Sequence, residues 1–436
     1  MRARADGPGS TRGASHGGAR GGGVLRGFSS LANPQFRMLW FGLLFSQGAM
    51  QINLVARSWL AYQVSGSGAA LGLVAVASGL PMGLFSLIAG AIVDRADKRR
   101  ILLLVHSCLA VLALATAVLV HMGITEVWHL ALVGLLQGIV FAFNFPTRSA
   151  LVPTLVPDEE LPNAIAMNST GLNLNRVVGP SIAGLLIGWE PAVAFDVIAA
   201  LYVISALMLL RLPKVVTPPR LGSPVRDMLD GFRYVSGDRT VTALLLLALV
   251  PTLLGMPFQQ FLPVFQKDVL HVGASSLGLM FTAVGVGSLV GSLGVAYVSP
   301  ERARWFQLLG GFGFGLSLIG FGLAPTLPIA LVMLALVGLT SQGYFVMNNV
   351  LLMAATDRRY YGRMMSIYML TWSAMPIAVY PMGVLIDQVG MPWTQAGAGL
   401  VLAIFVAIVS LIPKRSRARI EEADSDGPHP SAEAAG

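Results

Sequence analysis

Arg176 stands inside the apolar run 162–188, about 22 Å along a helix counted from Leu161 at 1.5 Å per residue, which is the middle of a bilayer. A guanidinium at that depth is expensive, so it faces a cavity or a partner. Its planar fork can grip an anionic or polar group through two hydrogen bonds. It can equally tie its helix to backbone carbonyls of a neighbour, and the residues alone leave both readings open. Asn168, eight residues earlier, and the adjacent Asn175 are polar companions on the same run. Arg57 falls near the end of the run 37–61, where a long stem snorkels its charge to the interface. Asp196 and Asp387 also lie near run ends, and Asp196 is a candidate partner for Arg57. Arg57, Asp196 and Asp387 are therefore the candidates for carrying a coupling ion. Metal chemistry is not expected: the single cysteine, Cys108, lies in an apolar run, and the six histidines complete no ligand spacing. There is no Gly-rich Lys-Ser/Thr loop, so this chain would not hydrolyse ATP, and no cofactor is expected.

The elements that must position these groups follow from composition. The 436 residues are 55% hydrophobic and 11% charged, with a mean hydropathy of +0.71, against about a quarter charged in an ordinary globular protein. Too few Asp, Glu, Lys and Arg exist to coat two or three soluble domains, which excludes a soluble enzyme and makes lipid the solvent. A hydrocarbon core about 30 Å thick takes about 20 apolar residues per helix. Reading for such runs gives twelve: 37–61, 69–93, 101–121, 127–147, 162–188 and 192–211, then 241–265, 274–298, 304–324, 327–350, 363–387 and 393–413. The prolines and glycines inside them do not veto helix, because neighbouring helices re-satisfy freed backbone groups. The expected fold is all-α and integral to the membrane.

Net charge is +8 with a pI near 9.9. One side of the expected topology carries the N-terminal tail, Arg95, Lys98, Arg99, Arg100, Arg148, the linker after the sixth run, Arg302, Arg304, Arg358, Arg359, Arg363 and a C-terminal basic run. The other carries only Lys267. That asymmetry predicts a multi-pass protein of the cell (plasma or inner) membrane with both termini cytoplasmic, and it assigns the basic excess to topology and not to nucleic acid. Residues 1–35, rich in Gly, Arg and Ser, read as a disordered cytoplasmic tail; an organellar transit peptide is the alternative. Residues 414–436 run basic from Lys414 to Arg419, then acidic, as a snorkelling anchor and a second disordered tail.

The linker 212–240 divides the chain into an N-terminal bundle, 36–211, and a C-terminal bundle, 241–413, of six helices each. Internal repetition supports the division. Ala70-Leu71-Gly72-Leu73-Val74 matches Ser276-Leu277-Gly278-Leu279-Met280, and at the same offset Gly79 falls on Gly285. Gln137-Gly138 recurs as Gln342-Gly343, one residue from that offset. Within the linker, Ser223-Pro224 is a good helix start, and Val225, Met228, Leu229, Phe232 and Val235 recur at helical spacing opposite Arg226, Asp230 and Arg233. This is an amphipathic helix, either lying on the membrane face or packed on the bundle.

After the second run the chain reads Gly90-x-x-x-Asp94-Arg95-x-Asp97-Lys98-Arg99-Arg100. This loop resembles motif A of the major facilitator superfamily, with Asp97 in place of the usual second glycine. That replacement is similar to the drug and siderophore exporter branch that includes the enterobactin exporter, of the transmembrane secretion effector type. Trp59-Leu60-Ala61-Tyr62-Gln63, Pro146-x-Arg148-x-Ala150-Leu151-Val152-Pro153, Arg176-Val177-Val178-Gly179-Pro180 and Gly362-Arg363-Met364-Met365-Ser366 continue the likeness over about residues 28 to 413. Three departures stand out. Gly134 occupies the place, three residues before Gln137-Gly138, where proton-coupled drug exporters carry an arginine. Asn175 stands where their fifth helix has a glycine. The second-half counterpart of motif A has lost its aspartate and keeps Glu301, Arg302 and Arg304.

The resemblance implies a monomer of twelve transmembrane helices in two pseudo-symmetric six-helix bundles that rock about a central site. It implies that the motif A residues Gly90, Asp94, Arg95, Asp97, Lys98, Arg99 and Arg100 form a gate stabilising the outward-facing conformer; a plain cluster of inner-face charge is the other reading. The central cavity would be lined by Gln47, Gln51, Gln137, Asn144, Asn168, Asn175, Arg176, Gln259, Gln260, Gln342, Asn348 and Asn349, with Phe261, Phe345, Tyr368 and Trp372 as stacking surface. Interhelical hydrogen bonding is the competing reading for each amide. The implied function is secondary active export of a small amphiphilic molecule, a drug, siderophore or secondary metabolite, exchanged for protons. Uptake or facilitated diffusion of a small solute, or a non-transporting sensor or scaffold on the same fold, are the alternatives.

Overall fold

The computed structural model describes residues 29–93, 95–213 and 224–410; residues 1–28, Asp94, 214–223 and 411–436, which hold most of the expected tails, lie outside it. All regular structure among these residues is helical. The first half comprises α1 (Pro34–Ser65), α2 (Gly68–Val93), α3 (Lys98–His121), α4 (Val127–Phe141), α5 (Asn144–Leu151), α6 (Leu161–Trp189) and α7 (Pro191–Leu209). After the linker helix α8 (Pro224–Gly237) come α9 (Arg239–Leu254), α10 (Ser276–Val295), α11 (Ala303–Gly322), α12 (Leu327–Ala355), α13 (Tyr361–Ser373), α14 (Met375–Val389) and α15 (Met391–Ser410).

These make the twelve spans read from the sequence, but three are not continuous helices. The fourth is broken at Ala142–Phe143 between α4 and α5, the seventh leaves α-helix at Gly255 for a 3-10 turn, and the eleventh breaks at Ala374 between α13 and α14. In each case a proline follows, Pro146, Pro257 or Pro376, whose missing amide deprives the carbonyl four residues earlier of its bond. Eleven spans are apolar enough to cross a membrane by length and composition. The remaining one, α6, has the length at 29 residues but carries Asn163, Asn168, Asn173, Asn175 and Arg176.

Residues 29–35, expected as part of the N-terminal tail, are packed on the first bundle. Ser29–Ala32 forms a 3-10 turn, the Ser30 hydroxyl donates to Asn163 Oδ1 at 2.6 Å, and Asn33 caps α1 by accepting from the amides of Gln35 and Phe36. The linker helix packs on the second bundle: Tyr234 stacks on Tyr360 with ring centroids 4.3 Å apart, and Asp230 pairs with Arg363 at 3.8 Å.

The two halves repeat one packing plan. Helix α2 lies on α4 as α10 lies on α12, and α3 lies on α7 as α11 lies on α15. Between the halves, α2 crosses α14 and α6 crosses α10. The repeated glycines sit at these crossings. A methyl on Gly72 or Gly79 would reach 2.5 Å from Tyr380 Cα or 2.0 Å from Pro376 Cγ, and one on Gly278 or Gly285 would reach 3.0 Å from the Ser181 carbonyl oxygen or 2.9 Å from Val177 Cγ2. Tyr380 follows Ser181, and Pro376 follows Val177, by the same 199 positions, so the sequence repeat is the two-fold symmetry of the interface.

Those crossings lie away from the face that carries the termini, and they close that far end. Hydrogen bonds between the halves join the same end: Ser67 and Gly68 to Asp387, Lys267 to Gln63, and Tyr62 to Asp268. Gly79→Val places its side chain in Pro376 and is expected to hold the far end apart. Cysteines replacing Gln63 and Lys267 in a Cys108→Ser background, whose native side chains meet at 2.8 Å across that end, should then cross-link at least about tenfold less, because overpacking a tight contact costs about 1–3 kcal/mol. Unchanged cross-linking would show that the glycine does not control closure.

Candidate functional site

Helix α6 presents its polar residues to the opening between the halves. Ser169, Asn173 and Arg176, spaced i, i+4 and i+7, are all exposed at mid-span. Arg176 Nη1 donates to Gln342 Oε1 on α12 at 3.4 Å, a bond that joins the two halves. Pro180, inside α6, lacks the amide that would bond to the Arg176 carbonyl, which leaves a backbone acceptor beside the guanidinium. The site therefore offers a cation, two hydroxyl or amide side chains and a carbonyl. Sequence reading missed Asn173, although its spacing from Ser169 and Arg176 carries the signal.

A second guanidinium is held higher in the first half. Arg57 donates from Nη1 to Gln137 Oε1 and from Nη2 to Ser78 Oγ, both at 3.1 Å, and Asn53 Nδ2 donates to the same Gln137 oxygen at 3.2 Å. Arg57 thus does not snorkel, which corrects the expectation. It lies eight residues before the end of α1, about 12 Å from the interface at 1.5 Å per residue, and an amide partner is nearer than water. A methyl on Gly134 would stand 3.5 Å from Arg57 Nη1. The guanidinium absent from position 134 is in this way supplied to the same neighbourhood from the first span. Among the described residues, neither Arg57 nor Arg176 has a carboxylate partner.

Several expected cavity residues turn elsewhere, because a neighbouring helix offers them partners that an apolar wall does not. Asn144 lies in a buried chain with His106 and Ser205, whose hydroxyl donates to the Gly42 carbonyl. Asn175 donates to the carbonyls of Leu44 and Gly171, tying α6 to α1. Asn348 is fully buried and accepts from Gln307 on α11. Gln47 and Asn168 share a small cleft with Trp40 between α1 and α6, and Gln51 packs on Gly179. Gln259 and Gln260 are half-buried in the 3-10 turn of the seventh span, and Asn349 donates to Met365 Sδ at 3.7 Å. Of the aromatic residues, Phe261, Phe345 and Tyr368 are buried; Trp372, 5.0 Å from the Phe345 ring, keeps partial exposure.

The acids mark the far end. Asp387, at the end of α14, accepts from Ser67 Oγ and Gly68 N at 2.6 Å and from Ala69 N at 3.0 Å, so it caps α2 across the halves. Tyr62 donates to Asp268, and Lys267 Nζ donates to Gln63 Oε1 at 2.8 Å. Asp196 lies 3.0 Å from His121 Nε2 and not beside Arg57, which corrects the suggested pair.

At the termini face, Asp94 of the motif A loop is outside the described residues. Asp97 explains its presence in place of glycine: it is the N-cap of α3, accepting from Arg99 N at 3.0 Å, and it pairs with Arg100 at 3.6 Å. Arg99 donates from Nε and Nη2 to the carbonyls of Leu209 and Leu210, so it neutralises the negative end of α7. Lys98 is buried, Arg95 is exposed, and Gly90 faces open space. Asp97→Ala is expected to cost about 1 kcal/mol through the lost cap, read as a lower unfolding temperature in detergent, whereas Asp97→Asn should cost less than half of that.

Comparison with known proteins agrees with this architecture. The family described as transmembrane secretion effector matches residues 25–434. The multidrug efflux pump Tap of Mycolicibacterium fortuitum is 27% identical over 399 residues, which are 86% of this chain and 95% of that protein. The staphyloferrin A transporter of Staphylococcus aureus is 25% identical over 386 residues, 86% and 95% of the two chains. Among solved structures, a bacterial homologue of the human lysosomal transporter Spinster, inward-facing and unoccupied, superposes with a TM-score of 0.66 at 17% identity, over 89% of this chain and 96% of that one.

Proposed function

The chain belongs to the transmembrane secretion effector family of the major facilitator superfamily, and from that premise we propose that it exports small amphiphilic molecules bearing an anionic or polar group. It is a multi-pass membrane transporter of the efflux type and not an enzyme. The observation that carries the finer reading is the Arg176–Gln342 bond, a mid-membrane guanidinium that is exposed to the interior and joined to the opposite half by one weak contact. A substrate entering from the termini face, which the reading takes as cytoplasmic, exchanges that neutral amide for its own acceptor. An anionic acceptor adds Coulombic attraction to the hydrogen bond and can engage both guanidinium nitrogens, so the exchange is favourable. The apolar part of the molecule rests against the partly exposed Trp372 and the exposed Met365 and Met369 of α13.

The halves then rock, the far-end contacts part, and the molecule leaves on the other side of the plasma membrane. Asp387 and Asp268 hold those contacts and face the outer solution, so they are the groups through which protons drive the cycle; Arg57 keeps the first half electropositive. The protein works as a monomer with both termini cytoplasmic.

Purified protein in liposomes tests the reading with labelled staphyloferrin A as the probe. Flux that accelerates with an imposed pH gradient and stops when the gradient is dissipated supports proton-coupled export. Flux at the same rate without a gradient would make the protein a facilitator, and no flux of any amphiphile would remove the transport reading of the site.

A further inference from the structure

Independently of the transport site, a cavity lies on the outside of the first bundle, at the termini face. It encloses about 550 Å³ between the start of α1 and the end of α7, and its walls are almost wholly apolar, with Phe41, Ile204, Leu207 and Met208 among them. Two arginines, Arg37 and Arg211, stand in its lining. Both are exposed, and among the described residues neither has an ion pair or a side-chain hydrogen bond. Among the described residues, no acid lines the cavity. Arg37 lies one turn inside α1 and Arg211 two residues past α7, so both sit at the depth where headgroups meet the hydrocarbon core.

We propose that this groove is a binding site for an anionic phospholipid, with its phosphate between Arg37 and Arg211 and its acyl chains along Phe41, Ile204 and Leu207. Two further features favour a negative charge there. The N-terminus of α1 presents the positive end of its dipole at the mouth. The opposing negative end of α7 is covered, because Arg99 already occupies the carbonyls of Leu209 and Leu210. The volume falls within the range of about 300–1,000 Å³ that holds small molecules. From Arg211 back to Ile204 the wall runs seven residues, about 10 Å, which takes the upper part of an acyl chain and no soluble ion. The exposure of Ile204, Leu207 and Leu210, between 38% and 56%, is that of side chains that meet lipid.

The full chain, purified in neutral detergent and stripped of lipid, is titrated with phosphatidylglycerol, phosphatidylcholine or inorganic phosphate, and bound lipid is counted by native mass spectrometry. The expected result is saturable phosphatidylglycerol binding that Arg37→Gln with Arg211→Gln weakens about 30-fold, about fivefold for each charge, since each basic residue near an anionic surface contributes about 1 kcal/mol. Arg37→Lys with Arg211→Lys should retain most of it. Arg358→Gln with Arg359→Gln, an exposed basic pair on the same face of the other half, should not change it. If the double glutamine variant does not fold, each single variant carries the test at its fivefold loss. Equal binding of phosphatidylglycerol by the glutamine variants, equal binding of phosphatidylcholine by the native chain, or displacement of the lipid by inorganic phosphate would each overturn the proposal.

Discussion

Arg176→Ala is expected to lower transport efficiency, kcat/KM, by about 10- to 100-fold in liposomes while the protein still reaches the membrane. The magnitude follows from removing a charged hydrogen bond to the substrate, about 1.5–3 kcal/mol, at tenfold per 1.4 kcal/mol. Arg176→Lys keeps the charge and loses the fork, so it should recover part of the loss. The competing reading is that Arg176 only ties α6 to α12. Gln342→Ala separates the two, because it removes the tie and leaves the guanidinium in the cavity. If Gln342→Ala reproduces the full loss, the arginine is a strut. If it lowers efficiency by less than about threefold, well below the alanine variant, Arg176 binds the transported molecule.

The second large effect concerns the far-end latch. Asp387 accepts three hydrogen bonds across the halves. Asp387→Ala leaves the Gly68 and Ala69 amides and the Ser67 hydroxyl without their acceptor and removes the charge that favours that helix end, together about 3 kcal/mol at roughly 1–1.5 kcal/mol per bond lost at an accessible site. A shift of that size moves the balance between the closed and open far end by about 100-fold. The measurement is the distance between spin labels on Ile124→Cys and Leu323→Cys, exposed loop residues of the two halves, in the Cys108→Ser background. The population with long distances should rise to dominate in Asp387→Ala. Asp387→Asn should fall between native and alanine, since one carbonyl acceptor survives, as it does when the carboxylate takes a proton. The same native-to-asparagine shift should therefore appear in the native chain as the outer solution is acidified. An Asp387→Ala protein whose distances match the native ones would mean that the glycine crossings alone close the end.

The latch also gives meaning to the arrangement of charge. Mid-membrane charge in this chain is cationic, at Arg57 and Arg176, while the acids Asp196, Asp268 and Asp387 lie at the far end. On the proposed function, a cavity of this sign would favour molecules with an acidic or acceptor-rich group over cationic ones.

Much of this was legible in the residues themselves. Lipid as solvent, twelve spans and a six-plus-six division followed from run length, because 20 apolar residues have one stable way to satisfy their backbone in hydrocarbon. The repeat Gly72/Gly79 and Gly278/Gly285 could be read as duplication, and Arg176 could be found as the costly charge. An amide in an apolar run, by contrast, points at whichever neighbour has an open partner, and the linear sequence does not name that neighbour. Hence Asn144, Asn175 and Asn348 turned into helix–helix bonds, Asn173 emerged in the opening, and Arg57 turned inward to Gln137 instead of out to the interface.

The sequence by itself determined the solvent, the number of helices and which charges needed an explanation, since those depend on composition and on periods within one helix. Only the tertiary structure decided which charges share a space. That the repeated glycines form the crossings, that Asp387 caps a helix 319 positions away at Gly68, and that Arg176 meets Gln342 depend on how two bundles dock, through contacts between residues that no local pattern links.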